Sequence, residues 1–179
     1  RRSDWFEHVG NEVRHTAAHA GLLDMSAFAK CRVSGPGAEA FMDRLVANKL
    51  PKGIGRVSLS HALTERGGVH SEYTIQREAA DSFYIVSAGA GQRLDHDWIK
   101  KHMPDDGSVR FDDLTNSIGV LVLAGPHARD ILQKVTRSDL ANGAFPWLSS
   151  KMIDVNLAPT MALRMNYVGE LGWELHHPI

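Results

Sequence analysis

The residues with the clearest chemical promise in this 179-residue chain lie near its end, in Tyr167-Val168-Gly169-Glu170-Leu171-Gly172-Trp173-Glu174-Leu175. Met161, Leu163 and Met165 alternate with Ala162, Arg164 and Asn166, which reads as a strand running into Tyr167. Gly169 and Gly172 supply the backbone freedom for a tight reversal. On the returning strand, Trp173 and Leu175 share one face and Glu174 takes the other. Tyr167, Gly169 and Glu174 then frame a concave corner of aromatic ring, bare backbone and carboxylate. A carboxylate offers two acceptor oxygens side by side. That fork suits a planar ligand edge with two adjacent N–H donors, as in a pterin or a guanine. The same stretch also reads as an ordinary β-hairpin with solvated glutamates, and spacing alone leaves both readings open.

The pattern Tyr-x-Gly-Glu-x-Gly-x-Glu after a strand resembles the pterin-binding signature of the glycine-cleavage T-protein (aminomethyltransferase) family. The order of Asp24-Met25-Ser26, Gly67-Gly68-Val69, Ile118-Gly119-Val120 and Ala124-Gly125-Pro126 before that signature is also the family's order. Trp5-Phe6, Phe28-Ala29-Lys30, Leu45-Val46-Ala47-Asn48 and Gly169 to Leu175 are similar to one branch, the folate-binding C-terminal portion of dimethylglycine and sarcosine dehydrogenases. The resemblance implies tetrahydrofolate as ligand and transfer of a one-carbon unit from an iminium or aminomethyl donor, giving methylenetetrahydrofolate. It implies that Glu174 grips the pterin edge, that Tyr167 lies beside the folate, and that Val86 contacts the pterin through its main chain. It places Glu72 where T-proteins carry an essential aspartate near the reacting amine. Ala88 stands near the place where T-proteins tend to carry an asparagine. In the dehydrogenase branch, FAD would belong to an upstream portion absent from this chain. A free-standing T-protein would instead need a lipoyl carrier protein. A non-catalytic folate-binding lobe is a further alternative, although the iron–sulfur-maintenance type carries a Lys-Gly-Cys-Tyr context that is missing here. The chain reads as a fragment, with a terminal β-barrel expected downstream.

Charge and composition narrow the alternatives. Twenty basic and 21 acidic residues give a net charge of −1, so nothing electrostatic argues for nucleic acid. The longest apolar run, around Val120 to Ala124, is far short of the roughly 18 residues a membrane span needs. No secretory signal is visible. The lone Cys31 excludes an internal disulfide and fits a reducing compartment, cytoplasm or mitochondrial matrix. His15 and His19 have the i, i+4 spacing of a metal pair, but no HExxH or further ligand joins them, so they read as solvated and no metal is expected. No Gly-x-Ser-x-Gly elbow supports a serine–histidine–acid triad.

The elements that position these residues follow from periodicity. A helix is expected over 5–20, with Trp5, Phe6, Val9, Val13 and Ala17 at helical spacing and Gly21 as its C-cap. Strands are expected at 31–34, 57–63, 69–76, 83–87, 118–124, 151–155, 160–166 and 173–175, with 109–111 a short one. Val69, Ser71, Tyr73 and Ile75 should share one face of their strand, and His70, Glu72 and Thr74 the other. Helices are expected after Gly35-Pro36 and Gly125-Pro126, with each proline at the first helical position, and over 92–103, with Leu94, Trp98, Ile99 and Met103 inward. Asp112-Asp113 read as turn residues. The two Gly-Pro junctions look like copies of one unit. The expected class is α+β: two related β-α-β-β lobes with antiparallel sheets, approximately 22–112 and 113–179. A ligand held between the lobes would then meet both Glu72 and the Tyr167–Glu174 hairpin.

Overall fold

A computed structural model describes residues 2–165, 167 and 169–179. The expected strand end at Asn166 and the Val168 position of the signature lie outside the described residues. The chain divides into two compact units. One comprises 26–118 with 148–150 and Ile179, and the other comprises 2–25, 119–147 and 151–178.

The 26–118 unit is built on β2 (Ala29–Ser34), β3 (Val57–Leu63), β4 (Val69–Ala79), β5 (Ser82–Ser87) and β6 (Arg110–Asp113), in the sheet order β3-β4-β5-β2-β6. All four strand pairings are antiparallel, with Glu72 opposite His61, and Val86 opposite both Thr74 and Lys30. On β4, Ser71, Tyr73 and Ile75 are buried and Glu72 is exposed on the other side, as expected, but Val69 is exposed and Thr74 buried. At the irregular start of the strand His70 stacks on Trp98 instead of lying beside Glu72. Cys31, Val33, Tyr73, Ile75, Phe83 and Ile85 form the core under two helices, α2 (Ala38–Leu45) and α3 (Gln92–His102). From α2 come Ala38, Phe41, Met42 and Leu45. From α3 the buried residues are Asp95, His96 and Ile99; Leu94, expected inward, is exposed. Asp112 and Asp113, expected in a turn, belong to β6.

The other unit contains α1 (Phe6–Ala18), β1 (Gly21–Asp24), β7 (Ile118–Ala124), α4 (Ala128–Gln133), β8 (Ser150–Val155), β9 (Ala158–Leu163) and β10 (Gly172–Pro178). Its sheet order is β1-β7-β10-β9-β8. Matching β7-α4-β8-β9-β10 with β2-α2-β3-β4-β5 reproduces the same order, and β1 takes the edge place that β6 takes in the first unit. The expected duplication is therefore present, as β-α-β-β-β with an added edge strand. Residues 21–24, which the expected lobe 22–112 mostly takes in, pair instead with Leu121–Ala124. The core here is Leu123, Ala128, Leu132, Leu140, Phe145, Ile153, Ala162, Trp173 and Leu175.

Local chemistry accounts for several departures. The helix α1 ends at Ala18 with His19 as C-cap, and Gly21 opens β1 rather than capping the helix. None of its residues is buried, so the apolar stripe of Phe6, Val9 and Val13 faces outward. Each Gly-Pro junction forms a turn one step before its helix. Ala38 N donates to Gly35 O at 2.9 Å and Ala128 N to Gly125 O at 3.0 Å, so the prolines precede the N-caps Gly37 and His127. The strand β9 stops at Leu163, and the core residue on it is Ala162; Leu163 is also buried, on the side of Glu174.

Candidate functional site

The four expected site residues fall into two groups, one in each unit. In the second unit, Glu174 lies on β10 opposite Leu163. Its neighbours Trp173 and Leu175 point into the core and Glu174 to the other face. Strand alternation places His176 on that same face, and its Nε2 meets Glu174 Oε2 at 3.1 Å. Both side chains are buried, Glu174 at 2% exposure. A carboxylate deprived of water requires polar partners. It has about four lone-pair sites, so the histidine contact leaves acceptor capacity for a ligand edge. Tyr167 is 55% exposed, and Gly169 close by has a left-handed φ of 79°.

In the first unit, Glu72 and Val86 share the sheet face opposite the helices. Thr74, two residues from Glu72 on β4, pairs directly with Val86 on β5, and Val86 pairs in turn with Lys30 on β2. Glu72, Thr74, Val86 and Lys30 thus point to one side. Thr74, Val86 and Lys30 are buried, and the Lys30 ammonium donates to Ser26 O at 2.7 Å. Toward the edge the face opens: Glu72 is 55% exposed in its side chain and contacts His61 Nε2 at 3.1 Å. Val86 sits in an interior strand paired on both sides, so its isopropyl group is what it adds to this face.

Sequence reasoning missed the two histidines. Each candidate glutamate has an imidazole Nε2 at 3.1 Å: His61 across the ladder for Glu72, His176 two residues along for Glu174. The second was legible from strand period alone. A separate cluster brings His70, Ser71 and Asp95 together: His70 Nδ1 lies 2.6 Å from Ser71 Oγ, which donates to Asp95 Oδ1 at 2.5 Å. The hydroxyl, not the imidazole, is the middle member, so this is not the relay a serine nucleophile needs. A cavity of about 520 Å³ is lined by Pro36, Glu39, Asp43, Lys49, Lys52 and Arg77, among others. It contains none of the four candidates. Among the described residues, no group of three His, Cys, Asp or Glu side chains is placed to hold a metal, and no helix is long and apolar enough to cross a membrane.

This duplicated α+β architecture, with a buried glutamate on the strand after the glycine-rich reversal, has known relatives. The chain belongs to the family described as the GCVT N-terminal domain, which matches residues 1–179. It is 38% identical over 178 residues to the mitochondrial dimethylglycine dehydrogenase of Mus musculus, a match covering 99% of this chain and 20% of that protein. It is 30% identical over 172 residues to an aminomethyltransferase of Geobacillus thermodenitrificans, covering 96% of this chain and 46% of the relative. Among solved structures, the glycine cleavage system aminomethyltransferase T of Bartonella henselae superposes with a TM-score of 0.79 at 25% identity, over 94% of this chain and 44% of that one. The chain thus spans about a fifth of the length of the dehydrogenase it matches.

Proposed function

We propose that this chain is the tetrahydrofolate-binding, one-carbon-transfer portion of an enzyme like dimethylglycine or sarcosine dehydrogenase. The observation that carries the reading is Glu174, a buried carboxylate held by His176 on a polar strand face directly after the signature turn. The 38% identity to a dimethylglycine dehydrogenase across nearly the whole chain supports the same branch. Tetrahydrofolate, when bound, supplies the amines that accept the carbon. Glu174 would hold the pterin edge through its carboxylate fork, with His176 fixing the carboxylate. Tyr167 would flank the ligand, and Val86 would line its path. Glu72, water-accessible and beside His61, would stabilise a carbon donor that arrives as a cation, and hold the proton released there. FAD would be carried on a portion outside this chain. The compartment would be the mitochondrial matrix in a eukaryote and the cytoplasm in a bacterium.

Titration calorimetry with tetrahydrofolate tests this. The expected result is saturable binding that Glu174→Gln weakens at least about tenfold, about 1.4 kcal/mol, and that Glu72→Ala leaves within about twofold. A tenfold loss in Glu72→Ala would move Glu72 from the chemistry to the affinity. Absence of binding would remove the folate reading.

The second reading is a T-protein of glycine cleavage, favoured by the TM-score of 0.79 to an aminomethyltransferase. It requires transfer from an aminomethyl group on a lipoyl carrier protein. The identities, 38% against 30%, favour the dehydrogenase branch, as does the longer acid at Glu72. Turnover with an aminomethyl-lipoyl carrier would reverse that preference.

A further inference from the structure

Two guanidinium groups in the second unit share one neutral oxygen. Arg129 on α4 and Arg164, the residue after β9, both donate through Nη2 to Asn142 Oδ1, at 2.6 Å and 2.7 Å. Arg129 Nε also donates to Leu140 O at 3.0 Å, and Arg164 Nη1 to Phe145 O. Both guanidinium carbons lie 5.8 Å from the centroid of the buried Trp173 ring. The two cations are therefore fixed against one aromatic wall and aimed at one point. Lys151 donates to Ala144 O and adds a third positive charge to the same loop. Asp139, the acid of that loop, accepts from Ala141 N.

Four other arginines face acids: Arg32 pairs with Glu78, Arg77 with Glu39, Arg93 with Asp97 and Arg110 with Asp112. Arg129 and Arg164 make no ion pair among the described residues. Burial, and after it the like charge of Arg129, pulls the Arg164 guanidinium below its ordinary range. An amide oxygen offsets two converging cations only through its dipole. A full anionic oxygen in that position makes charge-assisted hydrogen bonds about twice as strong, and the planar fork of arginine matches carboxylate and phosphate geometry. Donors are left for it. Each guanidinium has five N–H groups, and Arg164 Nε is buried without a partner. Asn142 is exposed and Gly143 beside it borders open space, so the amide can swing out without disturbing the core.

We propose that Arg129 and Arg164 form a binding site for a small oxyanion, a carboxylate or a phosphate group, which replaces Asn142 Oδ1 between the two guanidinium groups. The test is NMR of the arginine side-chain N–H resonances of the whole chain, titrated at constant ionic strength with inorganic phosphate in one arm and acetate in the other. The expected result is saturable shifts of the Arg129 and Arg164 signals in at least one arm; the arm that saturates identifies the source. Arg129→Gln should raise the Kd at least tenfold. Asn142→Asp, which ties a carboxylate into the site, should do the same while raising Tm without added anion. Because Asn142 lies on an exposed loop, this variant keeps the fold even if an arginine change does not. No saturable shift in either arm, or unchanged affinity in Asn142→Asp, would overturn the proposal.

Discussion

Single residues here behave according to what surrounds them, more than according to their type. Cys31 is the plainest case. Burial, then the nearby carboxylates of Asp113 and Asp95, push its thiol far above the usual range. The thiolate is the reactive form, so a disulfide reagent at pH 8 should modify the native protein at less than about a hundredth of the rate seen in denaturant. Fast native modification would show that β2 opens readily. His96 gives a pH prediction. Its Nε2 is buried without a partner, and burial lowers its pKa against the opposing pull of Asp113, with Lys100, Asp95 and Asp97 also facing it. The unfolded state then takes up the proton first, near the ordinary value of about 6.5. Stability should accordingly be full above that value and fall as pH drops through it. Urea melts between pH 5 and 8 should show this slope, and His96→Gln should flatten it. The side of the strand on which Glu174 lies was legible from period two. Its imidazole partner was equally available, and went unread because a histidine on a strand carries no signature of its own. The His61–Glu72 contact needed the β3–β4 register, which sequence spacing does not set.

At the scale of elements, the Gly-Pro junctions decide most. Gly35 has a φ of 117° and Gly125 a φ of 125°, both in the region that L side chains avoid. A Cβ at Gly35 would stand 2.5 Å from Ser108 O, and one at Gly125 the same distance from His19 O. Backbone atoms cannot step aside as a flexible side chain can. Gly35→Ala and Gly125→Ala should each lose about 1–3 kcal/mol, read as a lower urea midpoint at constant slope. A loss below about 0.5 kcal/mol would mean that the turns relax at little expense. That these junctions recur was visible in the sequence, because Gly-Pro punctuation is a local signal. The alternation of Ser71, Glu72 and Tyr73 on β4 was legible for the same reason. The errors share a different cause. Helical spacing located α1 and α3, but it cannot say whether a surface exists for the stripe to cover. Phe6, Val9, Val13 and Leu94 therefore remain exposed, while the polar Asp95 and His96 are buried in the place expected of Leu94.

For the molecule as a whole, the duplication was readable and the assignment of the edge strands was not. The strand β1 has four residues, and its partner is β7, about a hundred positions along the chain; no local pattern specifies that pairing. The consequence is an asymmetry between the units. All five strands and both helices of the first unit lie within 26–118, together with its whole core. The second needs three separate segments, with β1 covering one side of β7. The polypeptide 26–118 should therefore fold alone, since its strands, its helices and its core all lie within it. It would lose the tie that residues 148–150 make at the β3 end, where Val57 N donates to Leu148 O at 3.0 Å and Ser150 N to Gly55 O at 2.6 Å, so a lowered Tm is expected. The polypeptide 119–178 would expose the β7 edge along Leu121–Ala124, an apolar strand prone to pairing with other chains. Circular dichroism melts of the two pieces distinguish the cases. A cooperative transition for 26–118 and aggregation for 119–178, relieved when residues 2–25 are added as a peptide, is the expected outcome. A non-cooperative 26–118 would mean that its core, although complete in residues, does not suffice without the rest of the chain.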